Sequence, residues 1–406
     1  MTDLALMQPQ PQPQPYWLLL CLLYILSIKA FVYRPWLVPA TTFWITILGW
    51  ALYLGFNVAF PTETVYGLGA SIWSLSAING IYKKKGRPST NPLIVHIPSY
   101  DRVFIHDLTR MTPNEQIVFK ILAQEFWPGP VTFVVRANVN RVHTQLRNGT
   151  PFVGIRVPND PIALTLLRVA GVPIAAPSAN RSACISPTAP EHVDDDYQGL
   201  GIFMPILGDD NDKKNVGIES TIIKIEEKHS IVHITILRSG AIGLKDITMA
   251  IDEMHIDVSY VITSKSQEVN GTTSVAPGQE LLHYSPKHAT TYRATSATAT
   301  ATVTATATTT ATTTCAYKCI LIATPIIGEK YGRKYQKCFT LPDNAKDCAS
   351  VLYSIMRDAD TYCKKEGVGV ILICTDGIHA EEGCGCMDAI EDKVFRASSG
   401  KEPVHL

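Results

Sequence analysis

Charge is scarce in this sequence. Of its 406 residues only 18% are Asp, Glu, Lys or Arg, and 36 acidic side chains cancel 36 basic ones. A formal net charge of +0 projects no long-range field for a polyanion, so a strongly basic nucleic-acid binder is not indicated. Paired cysteines are missing too. Eight of the ten cysteines fall from Cys315 onward, and none belongs to a Cys-x-x-Cys pair. Cys384-Gly385-Cys386 comes nearest, but a zinc site of that kind needs two more ligands at set spacing. Free or structural thiols in a reducing compartment are expected, and no metal site.

Long apolar runs fall short as well. Residues 17–28 are uncharged and closed by Lys29, which is short for a bilayer span. Residues 40–56 form a second uncharged run at the lower limit of about 17 residues. No basic stretch precedes Trp17, so a secretory signal fits poorly. Three readings stand for this region: one or two membrane anchors, a buried helix, or a gene-model artefact. The run at 40–56 abuts a strand-like segment at 57–60, which favours a helix of the domain. For 17–32 the readings remain open.

At this length two domains with real cores are expected. A Gln-Pro alternation at 8–15 reads as extended and disordered. From 58 to about 247, β-branched runs alternate with helical patterns. Strands are expected at 58–60, 93–97, 131–136, 153–157, 173–176, 220–225 and 231–237, and helices at 76–84, 112–125 and 161–170. The mixture implies helices packed on a sheet. Residues 259–288 are polar and turn-rich, and an Ala/Thr tract follows His288. A second α/β unit begins near Ala316, with strands at 320–322 and 368–374 and helices at 345–365 and 387–397. The expected division is an apolar or disordered extension at 1–39, a first domain at 40–258, a linker at 259–314 and a small domain at 315–406.

Several segments carry candidate chemistry. FPTETVYGLGA (60–70) puts hydroxyls and a carboxylate at a strand end before a glycine turn, a common ligand position in α/β folds. In KKKGRPSTNPLIVHI (83–97), Lys85 and Arg87 stand two apart and can clamp phosphate, beside Asn91, with His96 at a strand end. Taken alone, His96 reads more readily as a core histidine. VGIRVPNDP (153–161) sets Arg156 in an apolar strand, where it needs an anion: a ligand carboxylate or a structural glutamate. AAPSANRSACISPT (175–188) presents Ser178, Asn180 and Ser186 after a strand, without a Gly-x-Ser-x-Gly elbow, so binding is favoured over covalent catalysis. IEST (218–221) and ILRSGAIG (236–243) repeat the theme, the latter with Arg238.

In this order, FPTETVYGLGA, KGRPSTNPLIVHI, FWPGPVT, GIRVPNDP, PIAAPSANRSACISPT, EST and LRSGAI resemble the YrdC-type domain of the threonylcarbamoyl-AMP synthases. The resemblance covers roughly 58–243. APGQELLHYSPKH is similar to the linker of their two-domain members, and the C-terminal residues to their smaller domain, more loosely. The resemblance implies a twisted open α/β sheet around a concave basic groove, with a Rossmann-like C-terminal domain. It implies condensation of L-threonine, bicarbonate and ATP, with Mg2+, into threonylcarbamoyl-adenylate and pyrophosphate. The product would pass to a tRNA threonylcarbamoyl transferase complex that modifies the adenosine beside the anticodon.

By position, the resemblance makes Lys85, Arg87, Ser178 and Asn180 catalytic. It assigns Thr64, His96, Arg156, Ala176 and Thr221 to L-threonine. It assigns Arg87, Asn91, Ser178, Ser186, Arg238 and Tyr284 to ATP, with Tyr284 closing over the nucleotide. A cytoplasmic location is implied, with membrane contact through the N-terminus or a mitochondrial location as alternatives. Departures are Ser239 in LRSG, where proline is common, the apolar run before Phe60, and the Ala/Thr tract. The last lengthens the expected interdomain linker and would weaken coupling between domains. A competing reading from another class is a non-catalytic RNA-binding module using the same groove. A third is a carbamoyl-transfer domain of the hydrogenase-maturation kind, but its zinc-finger and acylphosphatase-like modules have no counterpart in the sequence.

Overall fold

A computed structural model describes residues 37–38, 41–198, 204–208, 216–253, 258–264, 277, 283–296, 319–380 and 384–406. The Gln-Pro alternation, the apolar run at 17–32 and most of the Ala/Thr tract lie outside them.

Eleven strands form the larger sheet: β1 (Leu37–Val38), β2 (Val58–Phe60), β3 (Gly67–Ser71), β4 (Ile94–His96), β5 (Val131–Arg136), β6 (Phe152–Arg156), β7 (Ile174–Ala175), β8 (Ile206–Leu207), β9 (Thr221–Lys228), β10 (Ile231–Arg238) and β11 (Tyr260–Ser264). They lie in the order β1-β8-β2-β3-β7-β4-β6-β5-β9-β10-β11. β4 and β6 run parallel with His96 opposite Arg156, so two polar strand ends stand side by side among apolar neighbours. Among the described residues, seven α-helices accompany this sheet: α1 (Thr42–Tyr53), α2 (Leu75–Lys85), α3 (Arg102–Leu108), α4 (Pro113–Phe126), α5 (Pro161–Ala170), α6 (Pro190–Tyr197) and α7 (Leu244–Asp252). The helix expected at 112–125 opens with a full capping box between Thr112 and Glu115.

The second apolar run is a helix of the domain. α1 buries Trp44, Ile45, Leu48, Ala51 and Leu52 in one cluster with Ala163, Leu166, Leu167 and Ala170 of α5. The approach is close: a Cβ at Gly49 would lie 2.6 Å from Val169 Cγ1. Phe43, Trp50 and Leu54 face outward, which is why the run reads as apolar all round. No helix among the described residues is long and apolar enough to cross a membrane.

The second sheet corrects the expected boundaries. Its strands are β12 (Thr290–Thr295), β13 (Cys319–Ala323), β14 (Lys337–Thr340), β15 (Val370–Cys374) and β16 (Val404–His405), all parallel, in the order β14-β13-β15-β12-β16. With them come α8 (Pro325–Tyr331), α9 (Ala345–Glu366) and α10 (Cys386–Ala397). Residues 290–295, read from sequence as the start of the low-complexity linker, are an inner strand of this sheet. Residues 260–264 pair with β10 and extend the first sheet. The Ala/Thr tract therefore lies inside the C-terminal unit, between β12 and β13, and not between the domains. The expected weakening of coupling does not follow. Instead, Val65, Ile185, Ile218 and Tyr284 share a single buried cluster with Leu352, Tyr353, Met356 and Ile390 of the C-terminal helices.

Candidate active site

A cleft opens where β2, β4, β6, β7 and β10 end. The turn after β2 contributes Thr62 and Thr64, and β4 and β6 contribute His96 and Arg156. The segment after β7 adds Ala176 and Ser178, and Arg87, Glu219 and Arg238 complete the polar wall. Pro277 and His283, from the segment joining the two sheets, form the cover. The glycines read as a turn signal allow β2 and β3 to close beneath it: a Cβ at Gly69 would lie 2.9 Å from Phe60 Cε1.

Arg156 meets a structural glutamate, one of the two partners its burial required. Its Nη2 lies 2.9 Å from Glu63 Oε1 and donates to Thr64 Oγ1 at 3.0 Å, while Nε donates to Gly129 O at 3.2 Å. The Glu63 oxygens make no aligned hydrogen bond, so charge rather than directed bonding holds that pair. His96 stands edge-on to Phe60 with its Nδ1 buried and without a hydrogen-bond partner. Burial, and next the Arg156 charge, bring its pKa down to about 3, so the ring is neutral at physiological pH.

Arg87 is clamped in place. Its Nε donates to Asn91 O at 3.2 Å, and its Nη2 to Asn91 Oδ1 and to Pro92 O, the last at 2.9 Å. Arg238 is held by Ser220 in the same way, through its carbonyl at 3.1 and 2.9 Å and its hydroxyl at 3.0 Å.

Other expected contacts are turned to different work. Lys85 does not line the cleft. It sits on the buried face of α2 with Ile78, Ile81 and Tyr82, and its ammonium donates to Ser178 O at 2.6 Å and to Asn180 O. That geometry makes it the support of the Ser178 loop rather than an ATP-facing charge. Lys83 is exposed, whereas Lys84 is half-buried and donates to Asn57 Oδ1 at 2.8 Å. Asn180 donates to Arg181 O and Cys184 O at 2.8 and 2.7 Å, again within its loop. Thr221, expected on L-threonine, bonds both backbone groups of Ile242. Ser186 donates to Glu219 Oε1 at 2.5 Å. Tyr284, expected over the nucleotide, is fully buried and stacks on Tyr353 of α9 at 5.5 Å; its neighbour His283 faces the cleft instead. Tyr284 has φ +62, and its ring meets that of His283 edge-to-face with centroids 4.0 Å apart. Glu63 and Glu219 escaped the sequence reading although TET and EST contain them.

Three histidines, His96, His192 and His283, have pKa values lowered chiefly by burial and carry a pH signature. Burial and the Arg357 charge bring His192 down to about 4, as burial and Arg156 do for His96. Unfolded, each titrates near 6.5. As pH falls below that value the unfolded chain gains protons that the folded chain refuses. Stability is therefore fully present above about pH 6.5 and is lost in acid, by up to about 1.4 kcal/mol per pH unit for each histidine. His96→Asn should remove one histidine's share of that slope in urea unfolding at pH 7.5 and pH 5. Equal slopes in the two proteins would mean that folded His96 does take up a proton.

Two family models match the chain. One, Sua5_yciO_yrdC, described as telomere recombination, covers residues 51–240, and the threonylcarbamoyl-AMP synthase C-terminal domain covers 242–399. The threonylcarbamoyl-AMP synthase of Bacillus subtilis is 38% identical over 231 residues, which is 56% of this chain and 60% of that protein. That of Pyrococcus abyssi is 39% identical over 231 residues, 56% of this chain and 62% of that protein. Both matches thus span about three-fifths of the relatives' length. The Serratia proteamaculans protein of the same name is 33% identical over 157 residues, covering 37% of this chain and 76% of that protein. In three dimensions, P. abyssi Sua5 complexed with L-threonine superposes with a TM-score of 0.67 at 27% identity, over 91% of this chain and 99% of that one.

Proposed function

The chain belongs to the threonylcarbamoyl-AMP synthase family, and from that premise we propose that it makes L-threonylcarbamoyl-adenylate from L-threonine, bicarbonate and ATP. The observation that carries this reading is the convergence of Arg87, Arg156 and Arg238 on one cleft with Thr64, His96 and Ser178. Three fixed cations suit a reaction whose substrates carry a carboxylate, a carbonate and a triphosphate.

Arg156 and Thr64 receive the carboxylate of L-threonine, and His96 and Ala176 border the rest of it. The complex of P. abyssi Sua5 with L-threonine supports that side. The amine combines with bicarbonate to give a carbamate and water. A carbamate oxygen then attacks the α-phosphorus of ATP, the bond to the β-bridging oxygen breaks, and pyrophosphate leaves. Arg87 and Arg238 stabilise the charge that grows on the α-phosphate and the leaving group, and Ser178 donates to phosphate. No protein nucleophile is needed. A neutral His96 hydrogen-bonds without adding a positive charge beside the reacting amine.

Mg2+ would enter on the triphosphate. Among the described residues no group of three His, Cys, Asp or Glu could hold it, and the two carboxylates of the cleft already face Arg156, Ser186 and Tyr353. It would supply charge neutralisation to the phosphates. The product would pass to an enzyme that transfers the threonylcarbamoyl group to tRNA.

An RNA-binding use of the same groove is disfavoured by burial. Lys85, Arg87, Arg156 and Arg238 are only 1, 8, 4 and 8% exposed, so a nucleic-acid backbone cannot track across them. The test is pyrophosphate release by the purified full chain. It should require ATP, L-threonine and bicarbonate together. Binding of ATP and L-threonine with no pyrophosphate formed would rule the reading out.

A further inference from the structure

The C-terminal unit touches the cleft through one face of α9. Tyr353, Arg357 and Asp360 follow one another at steps of four and three residues, and so lie in a stripe. Tyr353 is fully buried, and its hydroxyl donates to Glu219 Oε2 at 2.6 Å. Arg357 binds both oxygens of Asp196 at 3.1 and 2.9 Å and donates to the carbonyls of Ile185 and Ser186. Asp360 accepts the backbone N–H groups of Lys287 and His288 at 3.0 and 2.8 Å, just beyond the cover residue His283. One helix thus fixes the Glu219 turn, the loop carrying Ser186, and the cover segment. None of its residues is used in the chemistry above.

We propose that Tyr353 is a positioning residue for the nucleotide side of the cleft, through which the C-terminal unit completes the site. This rests on the function proposed above. Glu219 has each oxygen engaged by one hydroxyl, Ser186 on Oε1 and Tyr353 on Oε2. The next residue, Ser220, holds Arg238. Fixing Glu219 therefore sets the backbone that aims Arg238 and fixes the hydroxyl of Ser186. It also keeps a carboxylate away from an arginine in the same cleft. Without the Tyr353 hydroxyl, Oε2 is left unsatisfied in a buried place, so the turn that carries Glu219 and Ser220 is no longer fixed. A shifted Ser220 takes Arg238 off its aim toward phosphate.

Tyr353→Phe removes the hydroxyl and keeps the ring stacked on Tyr284. Calorimetry on the full chain, with ATP and Mg2+ but no bicarbonate, should find ATP bound about tenfold more weakly, as loss of a hydrogen bond to a charged group predicts. L-threonine affinity should stay within about twofold, since Arg156 and Thr64 are held by Gly129, Glu63 and Thr62 and not through Glu219. Ser186→Ala should weaken ATP as well, and the double variant should be no worse than the worse single one, because both act through Glu219. A purely structural role would lower affinity for both ligands and give additive losses. Wild-type ATP affinity in Tyr353→Phe, or additivity with Ser186→Ala, would overturn the proposal. A wild-type chain that binds ATP but releases no pyrophosphate would sink the proposed reaction, while the affinity comparison would still decide Tyr353. A wild-type chain that binds no ATP would sink both.

Discussion

Arg156→Ala should lose saturable binding of L-threonine and unfold at markedly lower urea. The Arg156 and Glu63 side chains are each 5% exposed and 2.9 Å apart, so deleting the arginine strands a carboxylate in a place that water barely reaches. Breaking one partner out of a buried ion pair costs about 3–5 kcal/mol, more than the pair adds relative to an apolar substitute. The two losses can be separated. Adding Glu63→Gln to Arg156→Ala removes the stranded charge and should restore most of the stability, with threonine binding still absent. If the double variant binds L-threonine with near wild-type affinity, Arg156 does not hold the ligand carboxylate.

Arg87→Ala should lower the rate of pyrophosphate formation by about two orders of magnitude or more, with L-threonine affinity preserved. The reason lies in preorganisation. Asn91 and Pro92 fix the guanidinium before any ligand arrives, so its charge acts on the transition state without reorganising at the moment of reaction. Lysine should not substitute. Its point charge cannot make the forked contact that Nε and Nη2 make to Asn91, and it would sit loosely in the loop. Single-turnover measurements with saturating ATP would separate chemistry from binding. An Arg87→Lys variant with the wild-type single-turnover rate would contradict this account.

The cleft was partly legible because polar residues interrupt otherwise apolar strand ends. His96 and Arg156 each close such a run, and the parallel pairing of β4 with β6 then sets them side by side. Lys85 shows the limit. A run of three lysines looks uniform in sequence, but helix phase puts the third on the same face as Ile78, Ile81 and Tyr82. That spacing was present in the sequence and marks Lys85 as buried, hence as a support. The pairing of Glu219 with Tyr353 had no local sign, since it joins the turn before β9 to helix α9, 134 residues further on. β12 was hidden for another reason. Its Thr-Thr-Tyr-Arg-Ala-Thr sequence buries Thr291 and Ala294 without strict alternation, and it runs into Ala/Thr repeats whose composition resembles its own.

That misplaced strand has a consequence for inheritance. Low-complexity repeats readily gain and lose units from one generation to the next. Here such a change falls between β12 and β13, whose positions are set by their pairing with β15 on either side. Lengthening the connection between two paired strands costs only about 0.6 kcal/mol for each doubling of its length. Neither the face of α9 that meets the cleft nor His283 belongs to that connection, since His283 precedes β12 and α9 follows β13. Variants of this protein with different numbers of Ala/Thr units would keep the same catalytic geometry, so selection would act on the repeat only weakly.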